Sequence, residues 1–194
     1  MNYYKILNEN ECHNKFQFQD GLNIDSIPFN PKGTCEPGGI YFAREDIFAF
    51  LGYGPWIRTV TLPEDAQIYK DPEENPSKWK ADKIILGQKR RIDSNIIKEL
   101  IEQGADIHVD NDFAFRFASE FGHLETVKFL VEQGANIHAN NDSALRTASL
   151  NGHLEIVKYL VEQGADIHVD NDEAIIWASK YGYIDIVEFL KNQK

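Results

Sequence analysis

His108, His138 and His168 stand thirty residues apart, and each opens a similar phrase, HVDND at 108–112 and 168–172 and HANND at 138–142. Imidazoles beside carboxylates suit metal sites and pH-sensitive ladders, so the spacing decides which chemistry is open. Units recurring in a stack lie about 8–10 Å apart, whereas zinc holds its ligands at about 2 Å, so the three rings cannot share an ion. DIHVDND has the acid spacing of a calcium loop but lacks the Gly and the terminal Glu that such a loop uses. The expected task of these histidines is hydrogen bonding to hairpin backbone, and the same is expected of His123 and His153 in their Gly-His turns. Cys12 and His13 with Cys35 lack paired zinc spacing, and two cysteines make no disulfide framework. No nucleophile–base pair and no P-loop can be read, so catalytic residues, cofactor and metal are all expected to be absent.

The elements that hold these residues are repeated. GHLETVKFLVEQGANIHANND runs from Gly122 and GHLEIVKYLVEQGADIHVDND from Gly152, while Gly104, Gly134 and Gly164 keep the same thirty-residue step. Such a period marks a stacked-repeat architecture. In one unit Asp142 stands where an N-cap belongs, and Ala144, Leu145 and Ala148 give the first helix an apolar stripe. Gly152 ends that helix. Ile156, Val157, Leu160 and Val161 line the second helix, and Gly164 follows as a residue that tolerates a left-handed backbone. The small Ala118, Ala148 and Ala178 allow close helix approach, and each stripe needs a neighbouring unit as its other wall.

ALRTASLNGHLEIVKYLVEQGADIH closely resembles the ankyrin repeat: a short helix, a Gly-His turn, a longer helix and a Gly-Ala-Asp exit. The resemblance covers about residues 94–194. It divides the chain into an α+β N-terminal domain, 1–92, and an all-α ankyrin repeat solenoid, 93–194, made of a partial first unit, two full units and a truncated last one. The usual unit is about 33 residues with a Gly-x-Thr-Pro-Leu-His opening, whereas this one is three shorter and opens Asn-Asp-x-Ala. A stubby hairpin finger moves the expected recognition onto the helices. In ankyrin proteins the two residues before Gly-His line the concave binding surface, which implies Glu120, Phe121, Leu150, Asn151, Lys180 and Tyr181 as partner-binding residues. The copies differ on that same first-helix face: Phe113, Ser143 and Glu173, then Phe117, Thr147 and Trp177. Phe121 and Tyr181 are expected to be exposed anchors, and Phe117 and Trp177 to be inter-repeat core. Beyond Tyr183, Ile186, Val187, Phe189 and Leu190 have no successor unit and are expected to leave some apolar surface for solvent or a partner.

Residues before about 90 hold all seven prolines and read as strands at 38–43, 57–62, 66–69 and 80–86, with a short helix over REDIFAFL. HNKFQFQDGLNIDSIPFNPKGTCEPGGIYFA with KWKADKIIL resembles the N-terminal domain attached to ankyrin proteins of giant viruses of the mimivirus kind, a likeness that implies a setting and no chemistry. A second likeness is to ADP-ribosyltransferase folds, which place a strand such as Gly-Ile-Tyr-Phe beside a nicotinamide cleft. It implies His13, Tyr41 and Glu64 as candidates for an enzyme that modifies what the repeats recruit, although the early His/Arg-Gly-Thr element is missing. At the junction KADKIIL runs into GQKRRIDSNIIKEL without a flexible linker, and the stripe of Ile96, Ile97, Leu100 and Ile101 is expected to find its wall in the preceding domain.

Net charge is −11, and residues 94–194 carry 8 Lys+Arg against 17 Asp+Glu, net −9. An acidic surface repels phosphate backbones, so nucleic acid is not an expected ligand. The first residues lack a signal-peptide h-region and no run is long and apolar enough for a membrane span, so no membrane partner is expected. The leading reading is a non-catalytic protein that binds another protein, host or viral, in the host cytoplasm or the virion if the chain is viral.

Overall fold

The computed structural model describes residues 2–13, 16–31, 37–70 and 75–193, and Cys35 and Pro72 lie outside them. Its contacts divide the chain into two compact units, Met1–Asp106 and Ile107–Lys194.

Unit 1 is built mainly from antiparallel strands. β1 (Tyr3–Leu7) pairs with β6 (Trp56–Thr61), which pairs with β9 (Lys83–Leu86), and β9 pairs with β4 (Gly21–Ile24). β10 (Arg90–Arg91) returns to β6, at Ile57 and Trp56. A second sheet runs β5 (Ile40–Phe42), β8 (Trp79–Ala81), β7 (Ile68–Lys70), and β2 (Cys12–His13) and β3 (Phe16–Gln17) form a small hairpin. KADKIIL, read above as one strand, is thus two: Asp82 separates β8 and β9, which belong to different sheets. Asp82 holds that break by accepting the Gln67 amide at 2.8 Å, a contact distant in sequence. The expected helix over REDIFAFL is a 3-10 helix, Ile47–Tyr53, with Ile47, Phe48 and Leu51 buried.

Leu7, Phe18, Ile40, Phe42, Val60, Ala81, Ile84 and Leu86 form one apolar core. Arg58, only 4% exposed, is clamped among Glu11, Asp20 and the Gly87 carbonyl, with Asp20 at 2.6 Å and Gly87 O at 2.8 Å. Its guanidinium meets both Glu11 oxygens at 3.1 and 3.0 Å, a bidentate arrangement that compensates the removal of both charges from water.

α1 (Ser94–Glu102) belongs to unit 1. Asp93 caps it by accepting from Asn95 N and Ile96 N, at 3.0 and 2.9 Å. Ile96, Ile97 and Leu100 are buried and Ile101 is half-buried. Arg90 grips Glu99 at 2.9 and 2.5 Å, and Tyr4 Oη donates to Gln103 Oε1 at 2.6 Å. These polar contacts tie α1 to the residues that precede it.

Unit 2 alternates two rows of helices. α2 (Val109–Glu120), α4 (Ala139–Leu150) and α6 (Val169–Tyr181) pack side by side. α3 (Leu124–Glu132), α5 (Leu154–Glu162) and α7 (Ile184–Lys191) form the second row. The second-row helices end alike: Ala165 N donates to Leu160 O and Gly164 N to Val161 O, and Ala135 and Gly134 repeat the pair one unit earlier. This is the Schellman closure, for which the left-handed glycine supplies the reversal, with φ 99° at Gly164. In α7, Ile186, Val187 and Leu190 are buried because α6 and α5 wall that face, so of the four residues expected to leave apolar surface open only Phe189 is half-buried.

Candidate protein-binding face

Each first-row helix opens on three consecutive left-handed residues, Asp110-Asn111-Asp112, Asn140-Asn141-Asp142 and Asp170-Asn171-Asp172, with φ between 49° and 64°. Such backbone costs most L-residues about 1–2 kcal/mol each, and Asp and Asn are the non-glycine types that adopt it most readily. This compact turn stands in place of a hairpin finger, and among the described residues no strand follows Arg91.

The turn also reassigns two groups of residues. Asp142, expected as an N-cap, faces the next unit: its Oδ1 accepts Asp166 N at 3.1 Å and lies 3.0 Å from His138 Nδ1. Asp112 does the same with Asn136 N, at 2.9 Å, and His108 Nδ1, at 3.0 Å. Each ladder histidine thus meets the carboxylate four residues onward, buried at Asp112 and Asp142 and half exposed at Asp172, because the left-handed turn brings that Asp back over the ring. His153 does reach backbone, with Nε2 2.9 Å from Glu120 O. Arg116 and Arg146, to which sequence reading assigned no task, tie the turn down: Arg116 donates to Asn111 O and Asp110 O, and Arg146 to Asn141 O and Asn140 O. Their thirty-residue spacing, five and six residues after the Asx pair, was the available signal. Arg146 also bridges to Glu173 and, at 3.1 Å, to Asp170 of the next unit.

With the turns fixed, the outer face of α2, α4 and α6 is set. Phe113, Phe117 and Phe121 follow one another along α2, with ring centroids 5.8 and 4.5 Å apart. On α6, Trp177 and Tyr181 lie 6.1 Å apart, and the Lys180 ammonium sits 4.6 Å from the Trp177 centroid and 5.7 Å from that of Tyr181. Between them α4 carries Ser143, Thr147 and Asn151, whose side chains are short and partly occupied: Thr147 Oγ1 bonds Ser143 O and Asn151 Nδ2 bonds Thr147 O, both at 2.9 Å. Two aromatic walls thus flank a low polar floor. Phe121 and Tyr181 are each 54% exposed. Phe117 and Trp177, expected in the inter-repeat core, are half-buried members of these walls, and the fully buried position is taken instead by Phe115 and Leu145. Glu120, Asn151 and Lys180 are exposed and Leu150 is half-buried, so the six residues implied by the ankyrin resemblance lie at the C-terminal ends of the three adjacent first-row helices.

In unit 1, His13 and Tyr41 line the same two cavities, together with Lys5, but Glu64 lines neither and is exposed. The enzyme-like trio is not assembled. Among the described residues no group of three or more His, Cys, Asp or Glu is placed to hold a metal ion, and no helix is long and apolar enough to cross a membrane.

A family model described as ankyrin repeats (3 copies) matches residues 89–171 and 115–194. The chain belongs to the ankyrin-repeat family. Its relatives include "Putative ankyrin repeat protein R229" of Acanthamoeba polyphaga mimivirus, 48% identical over 118 residues, which are 57% of this chain and 38% of that protein. "Uncharacterized protein R869" of the same virus is 41% identical over 129 residues, covering 64% of this chain and 94% of that one. "Putative ankyrin repeat protein R868", also from that virus, is 37% identical over 131 residues, 65% of this ankyrin-repeat chain and 64% of the relative. The chain therefore spans well under half of the first of these proteins and most of the second.

Proposed function

We propose that this ankyrin-repeat chain is a non-catalytic interaction protein that holds another protein, from the virus or its host, on the first-row face of unit 2. Its setting would be the host cytoplasm or the virion, as the mimivirus relatives suggest. Ankyrin repeats carry the general reading of protein–protein interaction. The observation that supports this face is the pair of aromatic walls about the short polar side chains of α4. Large rings held by neighbours lose little entropy on binding and bury much area, so they serve as anchors. Glu120 at one wall and Lys180 at the other give the trough opposite charges at its two sides, which would fix the direction in which a segment lies across it.

Phe121→Ala with Tyr181→Ala removes an anchor from each wall and leaves no cavity in the core. Partners retained by the wild-type chain from infected amoebae are expected to be lost from the double variant, at a cost of about 2 kcal/mol or more in affinity, while its melting curve stays unchanged. Full retention of the same partners by the folded double variant would move the interface off this face.

A further inference from the structure

Unit 1 contains a cavity of about 280 Å³ that is lined by apolar rings and by Lys5, and it opens beside a smaller one that Lys5, His13 and Tyr41 also line. Lys5 lies on β1, only 4% exposed. An ammonium has three N–H donors, and among the described residues this one has a single hydrogen-bond acceptor, Tyr41 O at 2.6 Å. Nζ also lies 4.6 Å from the centroid of the Phe18 ring. Tyr41 and Phe18 both line the larger cavity, so the spare donors sit at its wall.

Among the described residues no carboxylate is hydrogen-bonded or ion-paired to this ammonium. Asp25, the acid that lines the larger cavity, is committed to backbone, accepting Ile27 N at 2.9 Å and Gly39 N at 2.7 Å. Among the described residues the other charged or titratable groups around the cavities are His13, Tyr41, Tyr4, Tyr53 and Lys78. Lys80, buried, lies over the Tyr41 ring at 5.0 Å. Burial pushes the Lys5 ammonium down to about 7. His13 is also held below its ordinary value, by burial first and then by the charges of Lys5 and Lys78. A desolvated ammonium with open donors, set beside an apolar hollow, suits an anion with an apolar body.

We propose that this cavity binds a small organic carboxylate, its apolar body held among Phe16, Phe18 and Ile40 and its carboxylate drawn to the Lys5 ammonium and the His13 ring. The ligand satisfies the open N–H donors of Lys5 and replaces the solvation that the fold has removed. Because the anion favours the charged forms of both bases, binding takes up protons near neutral pH, and affinity falls as pH rises from about 6 to about 8.

The test is calorimetric titration of the full chain with 2-naphthoate, indole-3-acetate and hexanoate, each beside its primary amide. At least one carboxylate is expected to bind with a Kd below millimolar, with its amide weaker by about tenfold or more, the size of one charge-assisted hydrogen bond. The heat at pH 7.5 is expected to vary with the ionisation enthalpy of the buffer in the sense of proton uptake. Lys5→Met, which keeps the apolar stem, should lose about tenfold in affinity; the amide comparison and the buffer dependence need no variant and stand if that one fails to fold. Absence of millimolar binding by all three acids, equal binding of acid and amide, or unchanged binding by folded Lys5→Met would overturn the proposal.

Discussion

In unit 1 the buried polar side chains are mostly long and cationic, Lys5, Arg58 and Lys80 with Asn23 beside them, whereas in unit 2 they are short: Asp112, Asp142, Ser119, Thr126, Ser143 and Ser149. The difference follows from how each unit is made. A repeated unit is closed by devices that work over short reach and recur, such as the Asp carboxylate that accepts an amide 24 residues ahead. A single-copy α+β unit joins strands distant in sequence, and a long side chain such as Arg58 can gather Glu11, Asp20 and Gly87 into one point. Disturbing unit 2 should therefore spread through its copies, while disturbing unit 1 should stay with the strands that the altered residue joins.

The sharpest break is Ala148→Asp. Ala148 is fully buried on α4, the helix that packs against both α2 and α6, and a carboxylate there has neither space nor partner. A loss of about 4 kcal/mol or more is expected, with the helical signal of all of unit 2 falling in one transition rather than that of α4 alone. Thermal unfolding followed by circular dichroism reads this, and a melting curve like the wild type's would refute mutual support among the repeats.

Next comes Glu11→Gln, which leaves buried Arg58 one charge short while Asp20 still holds it. A loss of about 2–4 kcal/mol confined to unit 1 is expected from denaturant unfolding. The pH dependence has a definite sign. Burial alone would raise the Glu11 carboxyl, but hydrogen bonds and charge from Arg58 and Lys89 outweigh it and hold the group below its ordinary value. Its contribution is thus present above the ordinary carboxylate range and is lost as pH falls through the depressed value. Wild-type unit 1 should lose stability on acidification more steeply than the Glu11→Gln variant, and parallel acid limbs would assign the clamp elsewhere.

The smallest effect refines the picture of the repeats. Asp142→Ala strands the Asp166 amide and the His138 ring and should cost about 1–3 kcal/mol. Asp172 pairs with His168 but is half exposed, and no described amide reaches it, so Asp172→Ala should cost only the strain that Ala bears in the left-handed backbone, about 1 kcal/mol, and less than Asp142→Ala. Equal losses at the two positions would show that the left-handed turn, not the link between units, is what the aspartate supports.

Much of unit 2 could be read directly, because period and composition are local properties. Gly134 and Gly164 end their helices with the left-handed reversal that glycine suggests, and Phe121 and Tyr181 stand exposed where the differences between copies place them. The Asp-Asn-Asp turn was not read, although three Asx-type residues in a row at every thirtieth step is what a left-handed run requires. In unit 1 reading was poorer. Ile-Tyr-Phe and Ile-Arg-Thr-Val-Thr are strands as expected, but β1, TyrTyrLysIleLeu in sequence, carries no such plain signal. Its lysine suggests a solvent face, and only the pairing of β1 with β6, together with its bridge to Ala43, encloses it. Likewise His13 and Tyr41 share a cavity that no spacing announces, and Glu64 does not join them.

A Cβ on Gly122 would stand 2.7 Å from the His153 ring, and one on Gly152 would stand 2.4 Å from the Tyr183 ring. Each turn therefore offers a notch, and the unit that follows carries the ring that occupies it. A segment copied in register and inserted beside its parent brings both notch and ring, so it mates with its neighbours on either side without any compensating change. A copy taken out of register brings one without the other. An array of this kind therefore lengthens without compensating change only by whole thirty-residue steps, in which every added glycine notch meets an added ring.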